Sequence, residues 1–218
     1  MNLGNIADGA SAAIVCGGTA LGVVLRCGLG DCRLAAVALV RAFAPRFHAG
    51  AVQARLAVQV QDIQRNGLIR AEPQHFDDSE FDEATAALIG HRSLDALLAA
   101  HAAHRARRAA RTARAAQTVA QAAELAPVFG LAGTLISLGR LPADGLDRGA
   151  YMAAIAMAVH ATLYGLVLAN LVLAPFARRI ERAAGHEEAE RQRLVDWLAQ
   201  ALAPSRTVAH APGWRGAA

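Results

Sequence analysis

Three stretches of the chain are almost free of charge, and their spacing sets the frame for every other feature. Gly9 to Leu25 gives 17 residues with no charged side chain, which at about 1.5 Å per helical residue is near the lower limit for crossing a hydrocarbon layer. Leu125 to Gly139 is likewise uncharged and extends back to Gln117 at the cost of one carboxylate, Glu124. Gly149 to Ala177 carries no charge at neutral pH and is long enough to span with tilt to spare. Between the last two lies a short polar segment, Leu141 to Arg148, that contains Pro142 and Gly145. Both residues break helices, so the pattern predicts an antiparallel hairpin of two spans.

The tract between the first and second spans reads as helix, with apolar positions such as Leu34, Val37, Leu39 and Val40, then Leu88, Leu94, Leu97 and Leu98. Phe76 to Glu83 interrupts it as an acidic turn. The basic run from His101 to Arg114 joins directly to the second span, which predicts one helix continuing from water into the membrane. The tail from Pro204, with Pro212 and Gly213, is predicted to be disordered.

Arginine positions set the orientation. Asp8 alone precedes the first span, while Arg26, Arg33 and Arg41 follow it. Arg105, Arg107, Arg108, Arg111 and Arg114 precede the second span, and Arg178, Arg179 and Arg182 follow the third. The predicted organisation is a periplasmic N-terminus at 1–8, a span at 9–25, a cytoplasmic helical domain at 26–116 and a span at 117–141. A periplasmic turn at 142–149, a span at 150–177 and a cytoplasmic helix with a disordered tail at 178–218 complete it.

Composition agrees with a mixed membrane and water-facing protein. Of 218 residues, 55% are hydrophobic and 5% aromatic, yet the mean hydropathy of +0.27 is too low for burial wholly in lipid. All 22 basic residues are Arg, and the net charge of +4 favours an anionic surface. The helix bearing Arg105 to Arg114 lacks interleaved aromatics and abuts a span, so it is expected to form a solvated, lipid-facing collar and not a nucleic-acid site. Cys16, Cys27 and Cys32 lack metal-ligand spacing and read as packing thiols. The first apolar run has no basic region before it, so it is expected to be retained and not cleaved. No enzyme, cofactor or metal site is predicted.

Within the spans, Gly130, Gly133 and Ser137, then Ala154, Ala158, Ala161 and Gly165, and finally Gly18 and Gly22, form faces of small residues that let helices approach closely. Thr134, Ser137, Thr162 and Asn170 place polar groups in otherwise apolar spans. Each can bond to its own helix backbone, or the hydroxyls on the two hairpin arms can face a shared polar path. No Asp or Glu lies at mid-depth, so a conducting assembly must borrow its carboxylate from a partner. His160 can relay protons or sit as a neutral imidazole against a neighbouring helix. Pro127 and Pro175 each remove a backbone hydrogen bond, giving a kink or a hinge.

The run from Glu124 to Ile136, with Pro127, Phe129-Gly130 and Gly133-Thr134-Leu135, resembles the third transmembrane helix of flagellar MotA-type stator proteins. Thr162-Leu163-Tyr164-Gly165 with the later Pro175 resembles the fourth. Ala13 to Thr19 is similar to the second helix of that family, and Arg65 to Glu72 to its rotor-contacting stretch. The resemblance covers roughly residues 7 to 182. It implies an all-α integral membrane protein of the MotA/TolQ/ExbB family, a pentamer around a single-span MotB-, TolR- or ExbD-like partner whose membrane Asp binds the travelling H+ or Na+. Thr134 and Thr162 would then line the ion path with Ser137 and Asn170, Pro127 and Pro175 would couple ion flow to movement, and Arg65 and Glu72 would touch a partner. Three spans instead of the four of MotA is the topology of TolQ and ExbB, and implies either a lost first helix or a misplaced start. His160 stands where the family carries Leu or Thr. A TolQ/ExbB-type energiser and a nonconducting scaffold are the alternatives.

Overall fold

The computed structural model describes residues 9–44, 49–66, 78–91, 93–139 and 148–208, and the regular structure there is entirely helical. The helices are α1 (Gly9–Phe43), α2 (Ala49–Asn66), α3 (Ser79–His91), α4 (Leu94–Gly139), α5 (Arg148–Val167), a π-helical segment (Leu168–Leu173) and α6 (Ala174–Val208). Three stretches of helix are long and apolar enough to cross a membrane: Gly9–Phe43, Leu94–Gly139 and Arg148–Leu202. At most 28% of the most apolar window of any of them is buried within the chain. That much exposed aliphatic surface is incompatible with a water-facing monomer, so lipid or other subunits must cover it. Segment 1–8, most of the 142–149 turn and residues 209–218 lie outside the described residues.

Two compact units emerge, one from Met1–Ala44 and Arg111–Ala183, the other from Pro45–Ala110 and Ala184–Ala218. In the first, α1 packs against α4 and α5, and an alanine-rich core extends the bundle through Ala35, Ala42, Ala115, Ala116, Val119, Ala177 and Ile180. Alanine at these positions permits close helix approach with little side-chain entropy lost. At its edge Phe43 and Phe176 meet edge to face at 5.9 Å, with the Arg179 guanidinium over the Phe43 ring. The α1 backbone leaves helical geometry at Gly28, where φ is +83°, a conformation that glycine adopts without a Cβ clash.

The second unit has a conventional apolar core. Leu56 and Val60 of α2, Phe81, Ala84 and Leu88 of α3, Leu97 of α4, and Leu194, Val195, Leu198 and Leu202 of α6 are buried together. The spacings within α3 and α6 follow the helical period, so each helix turns one stripe inward. Each fully buried Leu or Phe contributes about 1.5–3 kcal/mol.

Two elements differ from the sequence-based expectation. The acidic stretch near residue 80 opens a helix instead of forming a turn: Asp78 is its N-cap, with its carboxylate accepting from the Glu80 backbone N–H at 3.0 Å, and acidic residues suit the positive end of a helix dipole. The last helix runs on to Val208, past Pro204, where the sequence predicts a disordered tail.

Candidate functional site

The small-residue faces fix how the spans meet. A Cβ on Gly165 would lie 2.7 Å from the Ala126 carbonyl oxygen, one on Gly130 would lie 3.0 Å from the Ala161 carbonyl, and one on Gly133 would lie 2.7 Å from Ala161 Cβ. Residue numbers rise along α4 as they fall along α5, so the two arms are antiparallel with backbones in near contact. Gly18 and Gly22 of α1 serve a different partner, because together they form the seat of the Phe129 ring.

Each polar side chain proposed for the ion path bonds within its own helix. Thr134 Oγ1 donates to the Leu131 carbonyl at 2.6 Å, Ser137 Oγ to Gly133 at 2.8 Å, Thr162 Oγ1 to Ala158 at 3.3 Å, and Asn170 Nδ2 to Leu166 at 3.0 Å. Of the four, Ser137 is fully buried and Asn170 is exposed. Thr162 lies against Gly130, one helical turn from Thr134. The antiparallel register puts Ser137 toward one end of the hairpin and Asn170 toward the other, so the four are strung along it and do not form one cluster. His160 stacks on Tyr164 one turn further along α5, with centroids 6.1 Å apart.

The prolines act on the backbone. Pro127 lies within α4 and cannot bond to the Ala123 carbonyl, and its Cα would sit 3.2 Å from a Cβ on Gly165. Pro175 follows the π-helical segment, whose last turn is closed by the Ala174 N–H reaching Ala169 O. Widening the turn by one residue moves the carbonyl of Leu171 away from the proline ring, which accounts for a π segment directly before Pro175. Arg65 lies at the end of α2, and Glu72 lies outside the described residues.

A feature not anticipated from the sequence is a charge network in the second unit. Arg108 bonds Glu188 through Nε at 3.0 Å and Nη2 at 2.9 Å, and also pairs with Glu80. Arg191, buried, pairs with Asp78 at 2.6 Å and Glu187 at 2.9 Å and lies over the Phe81 ring. His104 meets Glu83 at 3.0 Å. Arg108 therefore does not belong to a solvated collar: its guanidinium ties α3 to α6. Burial would favour loss of the proton from Arg191, yet the Asp78 and Glu187 carboxylates outweigh it and hold its pKa above the ordinary value. His101 is buried beside this network, its pKa pushed down chiefly by desolvation and by Arg108. The signal available in the sequence was the heptad-like recurrence of His101, His104 and Arg108 opposite an acidic helix start. Among the described residues no group of His, Cys, Asp and Glu is arranged to hold a metal ion.

Motility protein A of Borreliella burgdorferi is 36% identical over 73 residues, 34% of this chain and 28% of that relative's length. Chemotaxis protein PomA of Vibrio alginolyticus is 25% identical over 198 residues, 89% of this chain and 78% of the relative. The fold is that of two solved complexes. The flagellar MotAB stator complex from Bacillus subtilis superposes with a TM-score of 0.77 at 18% identity, covering 95% of this chain and 86% of the other, and C. jejuni MotAB with 0.80 at 17%, covering 98% and 89%. The family model for the MotA/TolQ/ExbB proton channel family matches residues 74–193, more than half of the chain, and the chain belongs to that family.

Proposed function

We propose that the protein is the channel-forming subunit of an ion-driven motor of the flagellar stator type. It works in the bacterial inner membrane with its N-terminus periplasmic and its C-terminus cytoplasmic, as five copies around a single-span MotB-like partner. It carries H+ or Na+ and performs no enzymatic reaction. The observation that supports this most is the α4–α5 hairpin, which carries hydroxyls within apolar spans but no carboxylate at mid-depth. Such a surface can conduct only if a second chain brings the ionisable group.

In this reading the partner's Asp takes up an ion beside Thr134 and Thr162. Once neutral, it crosses the apolar face at low desolvation cost and steps to the next copy. Ser137 and Asn170 lie further along the same path, and His160 can pass a proton near its outer half. Pro127 and the π turn before Pro175 are the compliant points at which a span changes angle. Arg65 and Glu72 present charge to the driven rotor.

The test is co-expression with a single-span protein that has an intramembrane Asp, followed by purification and flux measurement in proteoliposomes. The two proteins should co-purify, and Thr162→Ala should remove most of the proton or sodium flux while leaving the complex intact. Recovery of the chain as a stable monomer that ignores such partners would overturn the proposal.

A further inference from the structure

Within the first unit, Arg26, Cys27 and Asp31 of α1 and Arg114, Gln117, Thr118 and Gln121 of α4 line an open polar cavity of about 180 Å³. It lies where both helices pass from uncharged to charged sequence, beyond Leu25 on one and just before the apolar run on the other. In the membrane placement proposed above, on which this inference rests, that level is the headgroup layer on the arginine-rich side.

The break at Gly28 makes the cavity possible. On an unbroken helix Arg26 and Asp31 would point roughly 140° apart; with Gly28 at φ +83° they line one cavity. The Cys27 thiol donates to Gln121 Oε1 at 3.0 Å, which leaves the N–H groups of that amide as donors. Among the described residues neither Arg114 nor Asp31 has an ion-pair partner, and Arg26 reaches only Glu124, at 4.0 Å.

Two guanidinium groups with amide donors match a phosphodiester anion. A lone carboxylate in the same cavity would repel that anion unless the ligand also brought a cation. A ligand with both charges a short distance apart satisfies the whole set. We propose that this cavity binds the headgroup of a phospholipid bearing a primary amine, with the phosphate on Arg26 and Arg114 and the ammonium donating to Asp31. Choline cannot donate a hydrogen bond to Asp31, and a glycerol headgroup brings no positive charge.

The test uses the full chain in detergent with its partner, incubated with phosphatidylethanolamine, phosphatidylcholine or phosphatidylglycerol, and reads retained lipid by native mass spectrometry. The wild type should retain phosphatidylethanolamine in preference to both others. Arg114→Gln should weaken retention about tenfold, as expected for one charge-assisted bond. Arg111→Gln, which removes the same charge outside the cavity, should leave retention unchanged. Asp31→Asn should abolish the preference over phosphatidylglycerol while phosphate binding persists, a result that a folding defect would not produce. Equal retention of phosphatidylethanolamine and phosphatidylcholine by the wild type, or equal losses in the Arg111 and Arg114 variants, would overturn the proposal. Occupation by soluble phosphoethanolamine in place of the lipid would overturn the lipid source. Should the chain fail to partition into membranes at all, the membrane placement falls first, and fractionation before lipid addition separates that result from the others.

Discussion

At the level of single residues, burial decides which charges matter. Arg191 is buried and held by Asp78 and Glu187, whereas Arg193 meets Glu190 on the exposed side of the same helix. Removing Arg191 leaves two carboxylates without their shared counter-charge, so Arg191→Ala should destabilise the second unit by about 3–5 kcal/mol. Arg193→Ala should change stability little, because exposed pairs are weak. Denaturant unfolding of the full chain followed at Trp197, itself packed on this core, compares the two. His101 adds a pH dependence. It faces Glu188 and Gln192 of α6, with Arg105 and Arg108 on its own helix, and its folded pKa lies below the ordinary 6.5. A depressed folded pKa means that protonation favours the unfolded chain, so stability is fully present above pH 6.5 and falls as pH drops through the folded value. The second unit should therefore melt lower at about pH 5.5 than at about pH 7.5, and His101→Gln should reduce that difference.

Among elements, the hairpin of α4 and α5 is where steric tolerance is least. The Ala126 carbonyl is backbone and cannot move aside, so Gly165→Ala should destabilise the first unit by about 1–3 kcal/mol despite the better helix propensity of Ala. The nearest atoms to a Cβ on Gly18 all belong to the Phe129 side chain. Gly18→Ala should accordingly be rescued by Phe129→Leu, while Gly165→Ala has no such rescue, and thermal unfolding in detergent distinguishes them. The π segment before Pro175 is a second strained point in these helices. If the ring of Pro175 causes it, Pro175→Ala should restore α-helical bonding, raise thermal stability, and impair any motor function that needs the compliant turn; unchanged helix geometry by site-directed spin labelling would refute the cause. These elements show how far the sequence could be read. The spans, the long α4 and the small-residue faces were legible because an apolar run and a recurrence at helical period are local patterns. The role of Phe129 against Gly18 and Gly22, and of Asp78 and Arg108 between α3 and α6, was not. Those partners come from different helices far apart in the chain order, and no periodicity within one helix reveals which face of another it meets. The π segment was hidden for a different reason, since a proline announces a disturbed ladder but not whether the helix kinks or widens.

For the whole molecule, the governing quantity is exposed apolar surface. Leu131 and Leu135 on α4, and Val159 and Leu171 on the α5 side, are each more than half exposed in a single copy, and at about 25 cal/mol per Å² such surface is costly in water. Lipid relieves that cost only if the charged flanks leave the hydrocarbon on suitable sides. In the proposed topology the arginines before α4's apolar half and those after Pro175 share one face, because both flank the open end of the same hairpin, and the connection between the arms is expected on the other. Single cysteines at Asp144 and Arg107, in a background with Cys16, Cys27 and Cys32 replaced by Ser, test this with a thiol reagent that cannot cross the membrane. In intact spheroplasts Asp144→Cys should label and Arg107→Cys should not, and the pattern should reverse in inverted vesicles. Labelling of both positions from one side would mean that the hairpin does not traverse the bilayer. The proposed ion path, the proposed partner carboxylate and the proposed headgroup site would then all lose the solvent boundary on which they depend.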